Sequence, residues 1–344
     1  MDDIILRPRL NDYHKILLNQ EKTDFFIPFL DEDLPLYVDP FLLWKSDASL
    51  DTSLHETLID SFNFLGALYS KGNESEAINI LISASECSEV GLGTSSNKLG
   101  KRIGKTSANQ ILSLFKGIPQ LKEYGFTHFE EIQLLVEGIS KDRISDIACS
   151  LLSNFLVDYT QDQCVRNGIP MSMVDTEIFD TRKKNFIQVQ KELPINPKAN
   201  CPIWLIPKRW LRQMPWMNPD DFFNRYLPSA NPKIKLSRPE IIDYNRLHYL
   251  QVEGYTRQKE ASAEELKSDP LFKQIPIGSA KRAIADIRKL ATGNQEKSDK
   301  IYEEKVCRLL ATLLYPQLDF AQTQSRTESG CQIRDLVFYN NCSE

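Results

Sequence analysis

The sequence predicts an α+β fold that is mainly helical, with a helical N-terminal region, a small β hairpin in the middle and an α/β tail. Three observations predict it. Apolar residues recur at three- and four-residue spacing through much of 51–167, the mark of amphipathic helices. Near residue 175 the texture changes: Phe186-Ile187-Gln188-Val189-Gln190 alternates, and Pro202-Ile203-Trp204-Leu205-Ile206-Pro207 is a short apolar run with proline at both ends, both strand patterns. After Gly293 a helical pattern leads into two further strand patterns. The expected organisation is an acidic helical domain over 1–175, a basic mixed strand and helix region over 176–293, and a tail over 294–344.

In chain order, Leu36 to Val38 is a short strand between turn signals, and Phe41-Leu42-Leu43-Trp44 an apolar anchor. Asp51-Thr52-Ser53 offers N-caps for a helix to Ser70, with Leu54, Leu58, Phe62, Leu65 and Leu68 on one stripe, and Lys71-Gly72-Asn73 stops it. Helices follow over Glu74–Ala84, over a segment that Thr106 caps and that runs to Phe115, and over Phe129–Val136. Ser140 to Asn167 reads as one long helix closed by Gly168 and Pro170, with a solvated first turn capped by Ser140. The strands at 186–190 and 202–206 form a hairpin across the loop 195–200, and short helices separated by prolines run from Pro219 to Leu290.

Bulk properties exclude several classes. No apolar run approaches the ~20 residues of a membrane span, and Met1-Asp2-Asp3-Ile4 is acidic where a secretory signal is basic, so a cytoplasmic, membrane-free protein is expected. The seven cysteines (87, 149, 164, 201, 307, 331, 342) form no CxxC pair, and the four histidines (14, 55, 128, 248) form no HxxxH pair. That scatter argues against a disulfide framework or zinc site and for cysteines as small core residues. Charge is uneven: residues 1–180 hold 15 Lys/Arg against 28 Asp/Glu, and 181–344 hold 27 against 19. A basic half beside an acidic one suits a polyanion partner, or two halves that dock on each other.

Two segments carry that idea further. Gly100-Lys101-Arg102-Ile103-Gly104-Lys105-Thr106 imitates a phosphate-binding loop, but three residues separate its glycines where the P-loop needs four. Nucleotide hydrolysis is therefore not expected there. Lys101, Arg102 and Lys105, ahead of a helix N-terminus, still suit a phosphate of nucleic acid. Lys208, Arg209 and Arg212 are interleaved with Trp204, Trp210 and Trp216, a pattern that binds phosphates and stacks on bases. The competing account makes the tryptophans core anchors and pairs the arginines with Asp220 and Asp221.

The tail carries the strongest signal. Glu296 to Leu314 is a helix, Leu318 to Gln324 a strand, Ser325 to Gly330 a turn, and Cys331 to Tyr339 a second strand holding Asp335 among apolar residues. A carboxylate inside such a strand is costly unless something uses its charge, and a divalent cation held with a helix-borne Glu would. The alternative is a structural Asp335 paired with Arg334 or Arg326.

This order of helix acid, strand, glycine-containing turn and Ile333-Arg334-Asp335-Leu336-Val337-Phe338 resembles the start of the PD-(D/E)XK, restriction-endonuclease-like nuclease domains, over about residues 296–342. The resemblance implies that Asp335 is the strand-borne acid and Glu303, or else Glu304, the helix acid. Together Asp335 and Glu303 would be the catalytic and metal-holding pair, with Mg2+ as cofactor, DNA as substrate, and Arg326 and Arg334 orienting the phosphate. The family's next strand carries Glu/Asp-x-Lys, and the sequence ends at Glu344 before such a strand. The expectation is thus a metal-dependent DNA endonuclease-like protein whose core is completed by further chain, a second copy or a second subunit. The rival expectation is a non-catalytic nucleic-acid-binding or interaction protein. Leu36–Phe41 and Gly138–Asp146 are similar to segments of uncharacterised bacterial proteins from mobile-element or phage-defence settings, which implies a restriction or defence context.

Overall fold

The structure, a computed structural model, describes residues 9–340 apart from 19, 21, 31–32, 94–99, 198–199, 233–235, 269–276, 291–297, 315–317 and 327–332. The fold is α+β and mainly helical. Its first part runs α1 (Leu10–His14), β1 (Tyr37–Val38), α2 (Pro40–Lys45), α3 (Ser49–Ser70), α4 (Glu74–Ala84), α5 (Lys105–Gly117), α6 (Pro119–Tyr124), α7 (Ile132–Leu135), α8 (Lys141–Leu151) and α9 (Ser153–Asn167). The middle holds β2 (Ser172–Asp180), β3 (Asn185–Leu193), β4 (Ile195–Asn196), β5 (Cys201–Pro202) and β6 (Leu211–Arg212). Then come α10 (Pro219–Asp221), a π-helical turn (Phe222–Tyr226), α11 (Leu227–Ala230), α12 (Arg238–Leu247) and α13 (Leu250–Ala261). The last elements are α14 (Ile277–Leu290), α15 (Ser298–Leu314), β7 (Leu318–Arg326) and β8 (Ile333–Asn340).

Local chemistry explains several boundaries. Asp39 caps α2 by accepting the Phe41 N–H, with Pro40 at the first turn where its missing N–H does no harm. A reciprocal Ser237–Glu240 capping box starts α12. The α3 stripe Leu58, Phe62, Leu65 and Tyr69 is buried. On the same helix Gly66 leaves room for the Phe115 ring of α5, which an added Cβ would overlap.

Two expected elements come out differently. The helix expected over 140–167 is two helices that meet at Leu152 (φ −98°, ψ 11°). Ser153, fully buried beyond that bend, accepts the Phe179 N–H at 2.7 Å and so docks the end of β2. The start of α8 is not simply solvated: Lys141, Asp142 and Arg143 are half-buried, Ser145 and Asp146 in the next turn are buried, and Ser145 Oγ accepts the Val38 N–H of β1 at 3.0 Å. The partner of β3 is β2, not 202–206, in an antiparallel register from Ser172↔Leu193 to Asp180↔Asn185. A local turn selects it, with Asp180 Oδ1 accepting the N–H groups of Arg182 at 2.8 Å and Lys183 at 3.0 Å.

The apolar run after Pro202 crosses the interior as extended chain outside any sheet. Its donors are met one by one: Ile203 N–H by Pro194 O, Trp204 N–H by Glu89 O, and Leu205 N–H by Thr160 Oγ1. Buried backbone groups need such partners wherever no ladder supplies them. One apolar core runs from Phe26 to Leu266 and takes side chains from both sides of residue 175, among them Phe62, Leu135, Phe179, Trp210 and Tyr255. A smaller cluster joins Leu10, Phe25 and Ile27 to Cys164, Ile203 and Leu205. Among the described residues no helix is long and apolar enough to cross a membrane.

Candidate functional site

The tail is a helix pair followed by a hairpin. In it α14 packs on α15, with Lys305 Nζ donating to Asp286 Oδ2 at 2.9 Å, and α15 lies against β7. Strands β7 and β8 pair antiparallel, with a register shift between Asp319 and Gln322. Glu303 is half-buried on α15 and Glu304 is exposed. Asp335 occupies β8 between the Arg334–Ser325 and Leu336–Thr323 pairs. The side chains of Asp335, Arg326 and Arg334 lie outside the described residues, and with them the expected meeting of Glu303 and Asp335. Among the described residues no three His, Cys, Asp or Glu side chains are close enough to share a metal. Mg2+ commonly takes only one or two carboxylates and keeps water on its other positions, so a Glu and an Asp are a donor set that fits it.

The basic residues of the middle region are joints within the fold. Arg209 grips Asp51 through Nε and Nη2, both at 2.7 Å. Asp51, 1% exposed, also accepts the Ser46 hydroxyl, and the Arg209 guanidinium is the main influence holding its carboxyl below the usual range against burial. Arg212 donates to Met214 O and Lys267 O, lies 3.6 Å from Asp39, and stacks over Trp216. Lys208 Nζ donates to Gln20 O at 2.7 Å. Asp220 and Asp221 have other partners, Arg238 for the first and Lys259 for the second. Trp204 and Trp210 are buried core residues. By contrast Lys101, Arg102 and Lys105 are exposed just ahead of and at the start of α5, where Arg102 reaches Glu177 at 4.0 Å. The N-cap position there is Gly104, and Thr106 lies inside the helix.

A buried polar cluster joins residues of α2, α3 and α13 to the segment 128–131. His128, fully buried, stacks on Phe41 with ring centroids 4.1 Å apart, and His55 lies 5.5 Å away. His128 Nε2 meets Glu260 Oε1 at 3.1 Å, a hydrogen bond that holds the Glu260 carboxyl below its usual range. Among the described residues His128 Nδ1, His55 Nε2 and both Glu130 oxygens are buried with no hydrogen-bond partner, His128 Nδ1 and Glu130 Oε1 lying 4.0 Å apart. Burial pushes the Glu130 carboxyl well up. It pushes His55 down to about 3, helped by the neighbouring His128. Beside them Glu131 accepts hydrogen bonds from the Tyr249 and Thr256 hydroxyls, yet burial still raises its carboxyl to about 7. Asp39 is likewise raised by burial, to about 6, against the Trp216 and Phe41 N–H groups and Arg212. Such a cluster can store protons near neutral pH or hold water. The only readable hint in the sequence is that His128, Glu130 and Glu131 fall within four residues.

A family model described as a domain of unknown function, DUF8370, matches residues 15–218, more than half of the chain. The match takes in the helices from α2 to α9, the β2–β3 hairpin and the Arg209–Asp51 joint, and stops before α10. No curated protein and no solved structure matches the chain at a significant level.

Proposed function

The chain belongs to the DUF8370 family, and we propose that it is a metal-dependent DNA endonuclease-like protein of restriction or phage-defence type. The observation that carries the reading is the order of the tail: a helix bearing Glu303, packed on the first strand of an antiparallel hairpin whose second strand bears Asp335. That is the order in which the PD-(D/E)XK core begins. Glu303 and Asp335 would hold Mg2+, which when bound supplies an activated water and neutralises charge on the phosphate. The chain's own part is to carry one carboxylate on a helix and the other on the strand paired with the strand that the helix packs on, and Arg326 and Arg334 near Asp335 would orient the phosphodiester. The test is incubation of supercoiled plasmid with the full chain in Mg2+ or Mn2+, with Asp335→Ala and EDTA as controls. Nicking that needs metal and Asp335 is expected. DNA left intact in both metals would overturn catalysis by this chain.

One observation favours a binding-only reading: Lys101, Arg102 and Lys105 are exposed together at the start of α5. On that reading DNA binds without being cut, and its affinity falls with salt by a log–log slope of roughly 0.9 per phosphate contacted. Replacing the three by alanine would then flatten the slope.

A further inference from the structure

The π-helical turn and α13 enclose an open cavity of about 490 Å3, a size that suits a small organic ligand. The turn has a local cause. Leu227 donates its N–H to Phe222 O, five residues back, and the next residue, Pro228, has no N–H to continue the α-helical ladder. The extra residue brings the Tyr226 ring against Phe222 and Tyr255, with centroids 5.6 and 5.3 Å away. It also puts the Tyr226 hydroxyl where any Cβ on residue 254 would sit, a place left open by Gly254.

The charges around the cavity are unequal in their freedom. Asp221 is neutralised within the wall: Lys259 Nζ lies 2.6 Å from Oδ2, and the Tyr255 hydroxyl donates to the same oxygen at 2.9 Å. Lys259 is held in place over the Trp216 ring, 4.7 Å from its centroid. Arg225 is different. Its side chain is 85% exposed and its nearest acid, Asp221, is 3.7 Å away. Ser229 and Gln258 also line the cavity, and among the described residues their side chains make no hydrogen bond. The wall therefore offers an exposed guanidinium held only by a 3.7 Å ion pair to a carboxylate that Lys259 already neutralises, with a hydroxyl and an amide beside an aromatic ring.

We propose that this cavity binds a nucleotide, with Arg225 on the phosphate and the ring system beside Tyr226. A planar, fork-shaped cation is the side chain best matched to phosphate oxygens. The ring and the free Gln258 amide supply the stacking surface and in-plane hydrogen bonds that a base uses. Glu303, Asp335 and a bound metal play no part in this cavity. The phosphate could belong to a free nucleoside monophosphate or to the 5′ end of a strand.

Isothermal titration calorimetry on the full chain, in EDTA so that metal chemistry plays no part, decides the matter. The probes are AMP, GMP, CMP, adenosine, inorganic phosphate, and a short oligonucleotide with and without its 5′ phosphate. At least one nucleoside monophosphate, or the 5′-phosphorylated oligonucleotide, should bind saturably. Loss of the phosphate, or Arg225→Ala, should weaken that binding about tenfold or more, as removal of a charge-assisted hydrogen bond does. Arg225 is exposed, so its variant should keep the wild-type melting temperature, and Gln258→Ala gives a second, uncharged test of the same wall. Binding by a free monophosphate assigns the site to a small ligand, and binding only by the phosphorylated strand assigns it to a nucleic-acid end. No saturable heat from any phosphorylated probe, or equal affinity in Arg225→Ala, would overturn the proposal.

Discussion

The Arg209–Asp51 joint and the His55–His128–Glu130 cluster both bury ionisable groups against α3, on opposite terms. At the joint every oxygen of a buried carboxylate faces a donor, and the pair stays ionised. Among the described residues, four polar atoms of the cluster have no hydrogen-bond partner, and burial drives His55 and Glu130 toward their neutral forms. The difference teaches that charge inside this protein has two uses. Paired charge fixes how the strand-rich middle sits on the helices, and groups that burial keeps neutral make stability depend on pH.

Breaking the joint should produce the largest change. Arg209→Ala leaves a carboxylate that is 1% exposed without its cation, and should cost about 3 kcal/mol, the low end of the buried-pair range because Arg209 itself reaches solvent. Urea unfolding measures it. Replacing both partners by apolar residues of similar volume should recover most of the loss. A loss in Arg209→Ala no larger than a surface substitution gives would mean that the joint does not hold the two parts together.

The cluster can be sharpened by titration. Glu131 has a folded-state value near 7 against an ordinary 4.5. Raised in the folded state, it contributes stability that is fully present below pH 4.5 and lost as pH rises through 7. Wild type should therefore gain on Glu131→Gln by up to about 3 kcal/mol as pH falls from 8 to 4.5. His55 has the opposite sign, with a folded-state value near 3 against 6.5. Its contribution is present above pH 6.5 and is lost as pH falls toward 3, so at pH 5 wild type should have lost about 2 kcal/mol relative to His55→Gln. Chemical denaturation across pH, each variant against wild type, separates the two. Parallel curves for either variant would contradict the burial of that group.

Much of the helical scaffold was legible because its signals are local. The Glu74–Ala84 helix has its expected ends, since its apolar spacing and the Gly72-Asn73 stop lie within the segment itself. The bend at Leu152 was not legible, because it goes with a hydrogen bond that Ser153 accepts from Phe179, on a strand 26 residues on. The mispaired hairpin has the same origin: proline-bounded apolar residues look like a strand, and only the tertiary partners at Glu89, Thr160 and Pro194 show how they sit. Arg209 and Arg212 were readable as basic but not as joints, for their acids lie at Asp51 and Asp39, far back in the chain. His55 and His128 are 73 positions apart by their numbering, so no motif could announce them. The tail's helix, strand and strand were legible from periodicity, and its proposed chemistry depends on the two acids it carries.

Those acids can be addressed directly by Mn2+ titration of the full chain, with free Mn2+ counted by electron paramagnetic resonance. The account predicts saturable Mn2+ binding that Glu303→Gln and Asp335→Asn each weaken at least about tenfold, no less than the loss of an outer-shell partner of a ligand costs, with melting temperature unchanged. Equal Mn2+ binding by wild type and both variants, or none in any of them, would contradict it.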